Sequence, residues 1–172
     1  ALDARMVLAG YEIQASRQAG TRSEARRHAD EAIKHLGVIR AVFATSSEAG
    51  QALLLLGELY RNREEFEKAD ACYKSILGVR NWRALWPEAL YGRGECAFAR
   101  KEYDVASAYY ERLYVLYAHY TDWTAKAYVR RAQCLTRRHQ GGKARQVLEE
   151  MMGNPDLDGY PEMEEARRML EE

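Results

Sequence analysis

The sequence has no apolar run near the roughly 20 residues that span a bilayer. Its best candidate, Ala52 to Leu56, is closed by Gly57 and Glu58, so no transmembrane segment is expected. A surplus of one charge is also lacking. Lys+Arg and Asp+Glu number 26 each, so no global field draws nucleic acid or a membrane surface to the chain. Cysteine is scarce: Cys72, Cys96 and Cys134 are odd in number and lack metal-type spacing. That argues against a disulfide framework or a zinc site and leaves three small buried apolar residues as the expectation. No charged-then-apolar leader opens the chain at Ala1. With only three prolines and abundant Ala, Leu, Glu and Arg, helix is expected throughout.

Recognisable catalytic machinery is missing as well. There is no nucleophile elbow, no phosphate-cradling glycine loop and no His-Glu-x-x-His helix. His28 and His35 lie seven residues apart on one helix, without the further ligands that a metal site needs. His119 and His139 have no acidic or cysteine company. The expectation is therefore no enzyme, with no catalytic, cofactor-binding or metal residues and no cofactor.

What the sequence does contain is an echo of itself. Ala52, Leu53, Gly57, Glu58, Arg63, Glu65, Phe66, Ala69, Ala71 and Tyr73 are followed 37 residues later by Ala89, Leu90, Gly94, Glu95, Arg100, Glu102, Tyr103, Ala106, Ala108 and Tyr110. A third copy follows at 38 residues, with Ala127, Arg131, Ala132, Cys134, Arg138, Ala144, Leu148 and Met151. Repetition at this period marks stacked supersecondary units, each burying its apolar face against its neighbours. The first helix of the clearest unit places Leu53, Leu56, Gly57 and Tyr60 on one face; the second does so with Phe66, Ala69, Tyr73 and Ile76. The short polar link Arg61 to Glu65 makes them antiparallel neighbours, and Gly57 is expected to let the two helices approach closely.

Repeat-like units are thus expected at about 1–45, 48–80, 87–120 and 123–153, with a terminal helix at about 160–172, in one domain spanning 1–172. In the first unit, Thr21-x-x-Glu24 reads as a capping box, and Ala32, Leu36 and Ile39 as a diverged second helix. Pro87 suits a first helical turn and Asp122 an N-cap. Gly141-Gly142 takes the place of the aromatic held by Phe66 and Tyr103, which predicts a looser third turn. The terminal helix reads as a cap or as half of a further repeat.

The pattern Leu53, Gly57, Tyr60, Phe66, Ala69, Tyr73 resembles a tetratricopeptide repeat, and the likeness covers about 48–153. The second copy departs at Ala97 and the third at Gly141. The resemblance implies an all-α fold, a right-handed superhelical solenoid of antiparallel helix pairs with about nine helices. The spacing exceeds the family's usual period of about 34 residues. With the tyrosine-rich second helix Tyr109, Tyr110, Tyr114, Tyr117 and Tyr120, it is similar to bacterial repeats of envelope-assembly lipoproteins and Tol-associated coordinators. That likeness leans toward the bacterial periplasm or cell envelope, while free cysteines suit the cytoplasm, so the compartment stays open. Family members generally scaffold complexes, holding a partner segment in a groove lined by the first helices.

One local feature bears on that groove. Between Trp123 and Leu148 lie seven basic residues (Lys126, Arg130, Arg131, Arg137, Arg138, Lys143, Arg145) and no acidic one. At about 100° per residue, Lys126, Arg130, Gln133 and Arg137 form one helical stripe. Two readings of it are open. Neighbouring first helices exchange charge, with Glu95 facing Arg130 or Arg137; or the groove is polarised and its basic end takes an acidic side chain or a C-terminal carboxylate. Glu58 and Glu95 mark the acidic end, and Leu54, Tyr91, Phe98 and Val129 are candidates for an apolar floor or for core. The Lys/Asn carboxylate clamp of chaperone-binding tetratricopeptide domains is not reproduced. The functional expectation is a non-catalytic protein-protein scaffold. The alternatives are self-association through the terminal helix, and nucleic-acid binding with Trp123 and Tyr128 as stacking surfaces, against which the acidic residues from Asp156 to Glu172 weigh.

Overall fold

The computed structural model describes residues 2–171. Among them are nine α-helices and no strand: α1 (Leu2–Gln18), α2 (Arg22–Val42), α3 (Ser47–Asn62), α4 (Phe66–Leu77), α5 (Trp86–Ala99), α6 (Tyr103–Leu116), α7 (Thr121–Arg137), α8 (Gly141–Met152) and α9 (Pro161–Glu171). Short 3-10 segments, Arg80–Leu85 and Pro155–Leu157, precede α5 and α9. Contacts gather the chain into two compact units, Ala1–Trp86 and Pro87–Glu172.

In the first unit, α1 and α2 form an antiparallel hairpin. Near the turn, the Ser16 hydroxyl donates to the Ala25 carbonyl at 2.8 Å; farther from it, His28 Nδ1 lies 2.6 Å from Glu12 Oε2. Thr21 caps α2 as its sequence predicts, its hydroxyl accepting the Glu24 N–H at 3.2 Å. Ala32, Leu36 and Ile39, read as the diverged counterpart of Ala69, Tyr73 and Ile76, are all fully buried. Helix α3 packs on both α2 and α4. Trp82, in the 3-10 segment, is also core. Its indole N–H donates to the Ser46 carbonyl at 2.9 Å, and its ring fills the space that a Cβ on Gly50 would enter, at 2.9 Å.

The glycine in α3 works as its sequence position suggests. A Cβ built on Gly57 would lie 2.5 Å from Cε1 of Tyr73, inside the ring's van der Waals surface. In the second unit, α5 and α6 repeat the arrangement: a Cβ on Gly94 would lie 2.5 Å from Cε1 of Tyr110. At the third copy the glycine is Ala132 and the tyrosine Leu148, both buried on the packed pair α7 and α8. The extra methyl appears where the aromatic ring is gone.

The turns repeat as faithfully as the helices. Glu64, Lys101 and His139 have φ of 63°, 63° and 58°, each one residue past the cap of its first helix. After each, an N–H returns to a carbonyl five residues back: Glu65 to Tyr60, Glu102 to Ala97 and Gln140 to Leu135, all at 2.9 Å. This closed helix ending ordinarily uses glycine at the left-handed position. The third turn is closed by the same bonds as the other two, so the looser turn expected from Gly141-Gly142 is not found. Both glycines lie inside the first turn of α8 instead. Asp122 is likewise not the N-cap of α7; Tyr120 occupies that position and Asp122 sits in the first turn, where its charge favours the helix dipole. Because a side chain in the left-handed region is strained, Lys101→Gly should raise unfolding free energy by about 0.5–1 kcal/mol after its own entropy cost. Urea denaturation checks this, and unchanged or lowered stability contradicts it.

The second unit has a layered order. Contacts across α6 and α7 pair Tyr114 with Tyr128, Glu111 with Arg131 and Asp104 with Arg138, so these helices are antiparallel. Contacts between α5 and α7 instead advance together, Tyr91 to Trp123 and Glu95 to Arg130, so these run parallel. Helix α9 also packs on α7 and α8, burying Met163 and Ala166. First-type helices α5, α7 and α9 therefore lie side by side, which places their outward faces on one surface of this unit.

Candidate functional site

That surface is organised by one carboxylate. Glu95, on α5, accepts Arg130 Nε on Oε1 and Arg130 Nη2 on Oε2, each at 2.6 Å. The pair is bidentate, the strongest geometry for such an interaction. The Tyr110 hydroxyl, reaching from α6, donates to the same Glu95 Oε1 at 2.6 Å. Arg130 Nη1 donates to Gln133 Oε1 at 2.9 Å, and Gln133 Nε2 donates to Glu165 Oε1 on α9 at 2.8 Å. The Arg130 guanidinium also lies over the Phe98 ring, 4.3 Å from its centroid. One polar chain thus ties four helices of the second unit together.

The electrostatics follow from burial. Removal from water pushes the Tyr110 phenol far above its usual value, and the Glu95 charge and hydrogen bond push it further. Burial works against the Arg130 charge, but the hydrogen bonds and charge of Glu95 outweigh it and keep the guanidinium protonated. For tyrosine the sign is direct. A phenol harder to ionise in the fold than in the unfolded chain contributes stability below its usual value of about 10, and that contribution is lost as pH rises above it. Tyr110→Phe should therefore flatten the loss of stability above about pH 10, measured by urea titration across the alkaline range. An unchanged slope contradicts the assignment.

Around this network lies a cavity of about 410 Å³ lined by Phe98, Arg130, Gln133, Thr136, Arg137, Glu165 and Met169. Of the residues singled out in the sequence, Phe98, Arg130, Gln133 and Arg137 are brought together here, with Glu95 directly behind Arg130. Lys126 stands farther along α7, its ammonium 4.7 Å from the Trp123 ring centroid; Tyr91 packs on that same ring at 5.3 Å. Among the described residues, Lys126 and Arg137 form no ion pair, and Arg137 is exposed.

Other candidates do not join this site. Val129 is 2% exposed and belongs to the core of its unit. Leu54 and Glu58 lie on α3 in the first unit, where Leu54 is buried and Glu58 is paired with Arg17 at 2.8 Å. Tyr128, considered as a stacking surface for bases, is buried against Tyr114 with ring centroids 3.9 Å apart. Its hydroxyl donates to Glu150 at 2.8 Å. Trp123 is covered in part by Tyr91 and Lys126. Between the two readings of the basic stripe, the charge exchange is present at Arg130, which is neutralised by Glu95; Arg137 and Lys126 are the cations left over.

Sequence reasoning missed the contribution of α9. Glu165 and Met169 complete the cavity wall, whereas the sequence offers the terminal helix as a cap, a half-repeat or a self-association surface and not as part of the groove. The signal was available. Pro161 opens α9 as Pro87 sits in the first turn of α5, and Met163, Ala166 and Met169 recur every three residues toward α7 and α8.

The three cysteines are free and buried. Burial pushes the Cys134 thiol up to about 12 and raises that of Cys72, so neither is poised as a thiolate. No group of three or more His, Cys, Asp or Glu converges among the described residues, and no described helix is long and apolar enough to cross a membrane. No protein-family model matches the chain, and no curated protein sequence matches it.

Proposed function

We propose that the chain is a non-catalytic scaffold of tetratricopeptide type. In this reading its helix pairs stack as a right-handed solenoid, and the outward faces of α5, α7 and α9 hold an extended or helical segment of a partner protein. The observation that carries it is the uncompensated charge on an otherwise neutralised face. Glu95 occupies Arg130, while Arg137 stands exposed beside a cavity with Phe98 and Met169 in its wall. A segment with an apolar side chain for that wall, and an acidic side chain or C-terminal carboxylate for Arg137, suits this arrangement. The period of 37 to 38 residues and the three identical turns support the stacked architecture.

An array of peptides with free acidic C-termini tests this reading. The wild type should retain a subset of them, and Arg137→Glu with Lys126→Glu should lose that subset while keeping helicity and melting temperature. Arg130 is the wrong residue for such a test, because reversing its charge breaks the Glu95 pair and lowers stability along with any binding. No retained peptide, or retention indifferent to the two substitutions, removes the groove from the account.

A second reading, self-association, is favoured by α1 and not by the terminal helix. Val7 and Tyr11 are 71% and 66% exposed, whereas α9 buries its apolar face in its own unit. A monodisperse monomer by light scattering at high concentration would dispose of it.

A further inference from the structure

The first unit contains a larger cavity than the one lined by Arg137, and of the residues singled out for the groove only Glu58 lines it. It measures about 570 Å³ and lies among the C-terminal end of α1, the N-terminal half of α2 and the C-terminal half of α3. That volume falls within the range of about 300–1,000 Å³ occupied by small-molecule sites. Ile13, Ala25, Ala29, Leu55 and Leu59 supply its apolar wall. It is a cleft open to solvent on the side of its arginines, with Leu59 buried and Leu55 half-buried in its wall.

Its rim is strongly basic. Arg17, Arg22, Arg26 and Arg63 all line it, against only Glu58 and Glu65. The two acids are already engaged: Glu58 by Arg17 at 2.8 Å, and Glu65 by Lys68 at 2.5 Å and by Arg63 at 3.0 Å. Arg63 is further held by Asp30 at 2.5 Å. Arg22 and Arg26, four apart on one face of α2, form no ion pair or hydrogen bond among the described residues, and Arg26 acts on Glu65 only through its charge, behind Lys68 and Arg63. Two guanidinium forks at the mouth of an apolar cavity match an anion carrying an apolar body, because each fork can bind a carboxylate in bidentate fashion.

We propose that this cavity is a binding site for an amphiphilic monocarboxylate, its hydrocarbon body against Ile13, Leu55 and Leu59 and its headgroup at Arg22 and Arg26. The site is built from residues of the first unit alone, and its test does not rest on the groove of α5, α7 and α9. The geometry orders the ligand with its tail inward. Both arginines are solvent-exposed, so their removal leaves the core of the unit untouched.

Decanoate is the probe, titrated calorimetrically below its aggregation threshold, with decanol as the uncharged control and inorganic phosphate as the tail-free one. The wild type should bind decanoate at one saturable site, bind decanol about tenfold or more weakly, and give no heat with phosphate. Arg22→Gln with Arg26→Gln should weaken decanoate by about tenfold or more, leaving decanol unaffected. Ala25→Phe, which places a ring in the cavity, should abolish both, with circular dichroism verifying its fold. Failure of decanoate to bind, equal affinity for decanol and decanoate, or full affinity in the double arginine variant would overturn the proposal. Phosphate binding that the same arginine variant removes would overturn the assignment of an apolar body.

Discussion

Gly94→Leu is expected to cost more than about 3 kcal/mol, and Gly94→Ala about 1–2 kcal/mol, in spite of the gain of up to about 1 kcal/mol that any replacement of a mid-helix glycine brings. The reason is that the Tyr110 ring has nowhere to go. It is fully buried, its Cε1 lies 2.5 Å from the position a Cβ would take, and its hydroxyl is held by Glu95 at 2.6 Å. Retreat of the ring breaks that bond; retreat of the helix breaks the packing of α5 on α6. A third repeat unit offers the solution within the same chain, where Ala132 accompanies Leu148. Gly94→Ala should therefore be less harmful in a Tyr110→Leu background than in the wild type. A double-mutant cycle by urea denaturation should return a favourable coupling of about 1–2 kcal/mol. Additive effects would mean that the ring and the glycine do not constrain one another.

The second large effect belongs to Glu95. Its side chain is 12% exposed and that of Arg130 26%. Glu95→Ala strands a guanidinium that is mostly out of water, and with it the buried Tyr110 hydroxyl. Removing one member of such a pair costs about 3–5 kcal/mol when burial is complete; the residual exposure of Arg130 lowers the expectation to about 2–4 kcal/mol. Glu95→Gln should cost less, since it keeps an acceptor for Tyr110. Glu95→Leu combined with Arg130→Met should recover part of the loss, because it removes both charges together. Guanidinium chloride screens ion pairs, so urea is the denaturant for this series. Equal stability of Glu95→Ala and wild type would show that the network contributes nothing to the fold.

These two sites also explain what could be read from the sequence. Residues that repeat at 37 are those whose partner the repeat itself fixes: Gly57 with Tyr73 and Gly94 with Tyr110. The left-handed positions Glu64, Lys101 and His139 repeat in backbone conformation but not in residue type. Helix pairing and turn placement are local consequences of such residues, so the helices were legible almost to their ends. Asp122 and Gly141 misled because each residue type suits two neighbouring positions, and only the backbone hydrogen bonds choose between them. The site was harder. The pairing of Glu95 with Arg130 was one of two offered by the sequence, because Arg130 and Arg137 share a helical face. Which of them meets Glu95 depends on the axial offset of α5 against α7, a tertiary quantity. The cavity of the first unit was half legible: its α3 wall, Leu55, Glu58 and Asn62, holds the positions that become Arg130, Gln133 and Arg137 two repeats later. Its α1 wall has no counterpart in the repeat, and there α1 buries only Ala9 and Ile13.

The central claim is that departures from the repeat on the face of α5, α7 and α9 read a partner, and that Arg137 supplies the charge. A methyl-detected NMR titration of the protein with an acidic C-terminal peptide selected on the array tests it most directly. The Met169 and Thr136 methyl groups, both in the cavity wall, should shift together and saturably, and Arg137→Glu should abolish the shifts while leaving the free spectrum otherwise unchanged. Shifts confined to methyl groups outside this cavity, or shifts that persist in Arg137→Glu, would contradict it.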